Sequence, residues 1–167
     1  VELTHKIFFD KRKGSKFKSL SPITKLVWLD GENRFNKSID SKFLNLNFDT
    51  LFNKNWYSGS DLFLEQNRLI LGFEHRSYDT SNGDEIYLSL GRAFFDEQEN
   101  NLSRNNKHSS YVAELMTTIS NNLSVRGVLQ IDSNLETISS GQLGIIYKKD
   151  QRNNIQLRSI YKRHIKY

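Results

Sequence analysis

Four histidines, His5, His75, His108 and His164, are the side chains in this sequence best suited to acid–base or metal chemistry. Hydrolysis at a membrane rim would need a nucleophile held against a base that a third group orients. His75 falls on the same alternate positions as Leu69, Leu71 and Phe73, and His108 closes a long polar stretch, so neither is placed for that role. No pair of histidines or carboxylates recurs at the spacing of a rigid metal site. Asp79, Asn82 and Asp84 faintly resemble a calcium loop. Asn82-Gly83 also supplies the positive-φ residues of a tight hairpin, and a turn accounts for all three. We therefore expect no enzyme, no metal and no cofactor.

A different set of polar residues is patterned. Arg68, Glu74, Arg76, Glu114, Arg126, Gln130, Gln142, Arg158 and Lys162 each alternate with apolar neighbours in stretches of ten to fourteen residues. Such period-two alternation is the mark of a strand with one apolar and one polar face. Slipping the register by one residue would exchange the two faces, so the pattern fixes which side is which.

The alternating stretches cover residues 67–77, 86–95, 111–119, 123–132, 136–148 and 154–162, with thinner signals at 4–9, 23–29 and 43–48. Connections run long, short, long, short: residues 96–108 are polar throughout, whereas only Ser120-Asn121-Asn122 separates two later strands. Residues 11–18, with Lys11, Arg12, Lys13, Lys16 and Lys18, read as a basic connection, and Pro22 as a strand start, where its missing N–H costs no ladder bond. In the stretch 86–95, Arg92 shares the side of Ile86, Leu88, Leu90 and Phe94; with the leucines toward lipid, it would sit near an interface and snorkel. The fold class this implies is all-β: an antiparallel up-and-down meander of about eight or nine strands, long enough to cross hydrocarbon as a segment of a large transmembrane β-barrel.

Composition is compatible with that architecture. The chain has 167 residues, of which 37% are hydrophobic and 12% aromatic, and its mean hydropathy is −0.62. A spanning strand shows lipid only every second residue, so a low average does not exclude a barrel. Helical membrane proteins are excluded, because no window approaches about 18 consecutive apolar residues. Tyr78, Phe94, Phe95, Tyr111, Tyr147 and Tyr161 fall near strand ends, where barrels carry aromatic girdles and where strand propensity alone also puts them. The net charge of +5 is dispersed and matches no nucleic-acid motif; it suits anionic head groups or a solvated face. With no cysteine, the chain carries neither a disulfide framework nor a thiolate metal site. Starting at Val1 without an initiator Met or signal peptide, it reads as one partial barrel domain over 1–167, with 41–167 better patterned than 1–40.

Residues 51–61 read Leu-Phe-Asn-Lys-Asn-Trp-Tyr-Ser-Gly-Ser-Asp, followed by Asn67 and Gly72. This stretch resembles the barrel motif of the lipopolysaccharide-assembly family LptD, carried here by Leu51, Phe52, Asn55, Ser58, Gly59, Asp61, Asn67 and Gly72. The likeness continues in order through Ser89-Leu90-Gly91 with Phe94-Phe95, Val112-Ala113-Glu114-Leu115 with Ser120 and Ser124, and Tyr161-Lys162-Arg163. Trp56 and Leu62 stand where the family has Arg, and Leu123 where a Trp is common. The resemblance implies an outer-membrane barrel of a Gram-negative bacterium that inserts lipopolysaccharide into the outer leaflet. It also implies an LptE-like lipoprotein plug, a periplasmic bridge reached through an N-terminal domain outside this chain, and lateral-gate strands elsewhere. The nine polar residues named above would then line the lumen. Two alternatives stand beside it: another outer-membrane barrel, such as a porin or rim enzyme, and a soluble β-sandwich used for binding.

Overall fold

The computed structural model describes residues 1–28, 42–58, 67–95, 108–132, 134–150 and 153–163. Its elements are β1 (Glu2–Lys6), β2 (Phe9–Lys13), β3 (Lys16–Val27), β4 (Lys42–Phe43), α1 (Phe48–Leu51), β5 (Tyr57–Ser58), β6 (Arg68–Asp79), β7 (Asp84–Phe95), β8 (Tyr111–Ser120), β9 (Leu123–Ile131), β10 (Ile138–Lys148) and β11 (Asn154–Lys162). Nine strands make one antiparallel sheet in the order β1-β3-β6-β7-β8-β9-β10-β11, with β2 also on β3, while β4 and β5 form a separate two-residue ladder. The sheet is the expected all-β up-and-down meander.

Turn chemistry sets the hairpins. Gly14 (φ 60°) lets Lys13 pair directly with Lys16, and Gly83 (φ 71°) donates its amide to the Asp79 carbonyl at 2.9 Å beneath the Asp79–Asp84 pair. Asn121-Asn122 joins β8 to β9. These short turns share one end of the sheet with residues 149–153; the long connections 28–67 and 96–110 leave from the other end.

Three expectations need correction. Residues 11–18 are not a connection: they form the β2–β3 hairpin, because Gly14 turns the chain and the basic side chains remain solvated on its ribbons. Pro22 is not at a strand start but within β3. The pairing on either side of it, Lys6 with Ile23 and Phe9 with Leu20, keeps one register, so β1 and β2 are one ribbon interrupted where Pro22 has no N–H to return to Ile7, whose own amide still reaches the Pro22 carbonyl at 3.2 Å. Residues 43–48 do not continue the wall. Only Lys42–Phe43 is strand, after which the chain leaves the sheet and turns at α1.

The two faces differ as the alternation requires. On one, Leu69, Leu71, Leu115, Leu129 and Leu143 are 37%, 40%, 43%, 41% and 49% exposed, with no second layer over them among the described residues. On the other, Val27, Ile70, Ala93 and Val112 are buried against Leu46, Leu51 and Trp56 of the inserted segment, with Phe52 and Phe95 packed at the margin. We call these the open and covered faces.

Arg92 belongs to the open face yet is only 8% exposed. It does not snorkel. Its Nε donates to the Ser109 carbonyl at 3.0 Å, its Nη1 to the Tyr111 hydroxyl at 2.8 Å, its Nη2 meets His108 Nδ1, and its plane lies 4.2 Å from the Tyr111 ring centroid. Burial is tolerated because polar groups from the root of the long connection enclose the charge.

Candidate functional site

Residues 44–56 form a strap across the covered face. Asn47 opens its single helical turn, accepting from the Thr50 amide at 2.7 Å while Thr50 Oγ1 accepts from the Asn47 amide at 2.7 Å. This reciprocal cap satisfies two of the free N–H groups at the helix start. The Leu44 amide donates to the Trp56 carbonyl at 2.8 Å and Trp56 Nε1 to the Leu51 carbonyl at 3.1 Å, so the strap closes on itself.

Two glycines make its seat. A Cβ at Gly72 would stand 2.9 Å from Phe52 and 3.0 Å from Phe48; one at Gly91 would stand 2.7 Å from Leu51. Both positions pair across β6 and β7, so the bare backbone forms one shallow trough into which the strap's apolar side chains drop. Four wall strands then tie it down. Lys25 of β3 donates to the Phe52 carbonyl at 2.7 Å, Arg68 of β6 to the Asn53 carbonyl at 2.9 Å and to that of Lys54, and Gln130 of β9 to the Leu46 carbonyl at 2.6 Å. Glu114 of β8 accepts from the Phe48 amide at 2.8 Å. Arg68 also lies against Trp56, 4.9 Å from its ring centroid, and Trp56 meets Phe95 edge-on at 5.8 Å.

Below the strap, toward the short turns, the covered face opens into a cavity of about 640 Å³. Several of its charges are paired, Lys6 with Glu74 at 2.5 Å, Arg126 with Glu114 at 3.3 Å and Arg76 with Glu85 at 3.5 Å, and Asp10 and Asp49 line it as well. Farther along, Gln130 Oε1 accepts from Ser140 at 2.7 Å and Arg158 donates to Gln142 at 2.8 Å, with Lys162 exposed near the edge. Such a wall of mixed charge can hold water or a polar protein surface. It offers no activated nucleophile, and no group of His and carboxylates able to hold a metal occurs among the described residues.

Of the motif residues singled out in the sequence, Leu51, Phe52 and Gly72 come together at the seat, Asn55 is half-buried in the strap beside Trp56, and Asn67 precedes β6. Ser58 pairs its backbone with Lys42; Gly59 and Asp61 lie outside the described residues, as does His164. Of the nine polar candidates, all share the covered face, but Arg68 is buried beneath the strap, away from the cavity, and Glu114 lies largely buried where strap and cavity meet. Lys25, Ile70, Ala93 and Val112 were missed. Ile70, Ala93 and Val112 break the polar alternation on that face, and the register of Ile70–Ala93 beside Gly72–Gly91–Val112 is what shows them to be one apolar patch, with Lys25 paired to Ile70 at its edge.

Comparison with known proteins agrees with this architecture. A family model described as "LptD: LPS transport system D" matches residues 8–167. The chain is 26% identical over 130 residues to an LPS-assembly protein LptD of Sodalis glossinidius, covering 73% of this chain and 17% of that protein. It is 29% identical over 128 residues to that of Mannheimia succiniciproducens (73% and 16%) and 26% over 150 residues to that of Idiomarina loihiensis (83% and 19%). The chain thus spans less than a fifth of the length of these relatives.

Proposed function

The chain belongs to the LptD family, and on that premise we propose that it is a stretch of outer-membrane barrel wall in a Gram-negative bacterium, taking part in the insertion of lipopolysaccharide into the outer leaflet. The observation that carries this is the open face. Leucines recur on it from β6 to β10 with no second layer over them among the described residues, on strands of nine to twelve residues, the length a tilted strand needs to cross about 30 Å of hydrocarbon. A soluble sandwich would need a second layer on those leucines. The role is transport and not catalysis. The covered face turns to the lumen, where the paired charges of the cavity suit an LptE-like lipoprotein plug. Lipopolysaccharide arrives from periplasmic bridge proteins through a domain outside this chain.

Depth-resolved quenching tests the reading. In the complete protein that carries this chain, reconstituted into bilayers containing brominated lipid, a probe attached at Leu115→Cys should be quenched and one at Met116→Cys should not. Equal quenching, or none, at the two positions overturns the membrane assignment. Depleting the protein should leave newly made lipopolysaccharide at the inner membrane; unchanged surface delivery overturns the transport role.

A further inference from the structure

Arg68 is 1% exposed, and its Nη2 is spent on the Asn53 and Lys54 carbonyls. Its Nε and Nη1 have no hydrogen-bond partner among the described residues. A guanidinium taken out of water with empty donors is costly, and buried polar groups without a partner are rare enough to call for a cause. The charges around it are unbalanced. Lys25 Nζ stands 2.8 Å from one oxygen of Glu2 and Lys54 Nζ 4.0 Å from the other, and the Glu2 charge also acts on Arg68. Among the described residues, three cations share one carboxylate. Only the margin of the cluster meets solvent, where the Glu2 and Lys54 side chains are 33% and 51% exposed, so a ligand reaches Arg68 by taking the place of Glu2.

We infer that Arg68, Lys25 and Lys54 form a receptor for a phosphate group, with Glu2 as the built-in counter-ion that the ligand displaces. A phosphate monoester carries up to two negative charges and several acceptor oxygens. In Glu2's place it answers two of the three positive charges and offers acceptors to the empty guanidinium donors, whereas a lone carboxylate answers only one. The group arrives as the head group of a phosphorylated lipid or as free phosphate; the chemistry at Arg68 is the same. The site does not rest on the transport role.

The test is a calorimetric titration of the complete protein in uncharged detergent. Its first arm uses inorganic phosphate; its second uses a phosphorylated glycolipid in mixed micelles, beside the same lipid with its phosphates removed. We expect saturable one-to-one binding, weakened about tenfold in Arg68→Gln by loss of a charge-assisted bond. Lys54→Gln, at the exposed margin and compatible with folding, should weaken it about threefold, and Glu2→Gln should tighten it by a similar factor. Free phosphate binding alone identifies the ion as ligand, and preference for the phosphorylated lipid identifies the head group. The proposal falls if neither probe binds, if the dephosphorylated lipid binds equally well, or if Lys54→Gln and Glu2→Gln leave affinity unchanged. A positive lipid-quenching result with no phosphate binding would sink this site alone and leave the barrel assignment standing.

Discussion

Gly91 lies directly beneath Leu51: a Cβ at residue 91 would stand 2.7 Å from Leu51 Cδ2, and Leu51 is itself fully buried. The added atom has nowhere to go, because it would also meet Phe48 at 3.2 Å and the Leu71 carbonyl at 3.2 Å. Gly91→Ala should therefore destabilise the strap by about 1–3 kcal/mol through overpacking. Trimming the partner should relieve it, so the Gly91→Ala, Leu51→Ala pair should cost less than the sum of the single changes. Strap opening followed by limited proteolysis at Lys54 would measure both; additive costs would refute the contact.

Glu114 holds the first amide of α1 and is 5% exposed. Glu114→Ala leaves the Phe48 N–H without an acceptor, at a cost of about 1–3 kcal/mol. Hydrogen exchange should accelerate at Phe48 and spare the β10–β11 ladder. Protection unchanged at Phe48 would mean that the strap is held by its apolar side chains alone.

Leu135 has φ 63° and is 61% exposed. A leucine pays about 1–2 kcal/mol to sit in the left-handed region, whereas glycine enters it freely but gives up more chain entropy. Leu135→Gly should raise stability by about 0.5–1 kcal/mol, read as a higher thermal midpoint. A lower midpoint would show that the side chain makes a contact worth more than the backbone relief.

Asp132 closes the same connection. The Thr137 hydroxyl donates to its Oδ2 at 2.6 Å and the Glu136 amide to its Oδ1 at 2.9 Å, and these bonds, the Thr137 hydroxyl foremost, hold its pKa below the usual aspartate value. Because the folded value is depressed, the stabilisation is present at neutral pH and is lost as the pH falls through that lowered value. Amide exchange at Glu136, corrected for the intrinsic rate, should lose protection only in that acid range, and Asp132→Asn should abolish the pH dependence. Protection that fades between pH 6 and 8 would contradict this.

Much of the wall was legible because long parts of β6 to β11 alternate: Leu69 and Leu71 against Arg68 and Glu74, Leu115 against Glu114, Leu143 against Gln142. Where the pattern misled, two structures share one period. Leu46 and Phe48 alternate with Asn45, Asn47 and Asp49 as a wall strand would, as does Leu44, yet Leu46 and Phe48 are buried between the strap and the sheet instead. The capping pair Asn47 and Thr50 was the signal that the chain turns there. Arg92 misled for another reason. Its partners Ser109 and Tyr111 lie across a long connection, and sequence distance hid the enclosure that removes any need to snorkel. The strap's seat was half visible: Leu51, Phe52 and Gly72 drew attention as a motif, while only strand register shows that Gly72 faces Gly91 beneath them.

Pro22 has a mechanical corollary. Because it returns no proton to Ile7, the outermost ribbon is fastened in two clasps of five pairs each, Glu2–Lys6 and Phe9–Lys13, with slack at residues 7 and 8 between them. Peeling that starts at the Glu2–Val27 pair should stall at the slack and leave the Gly14 hairpin zipped.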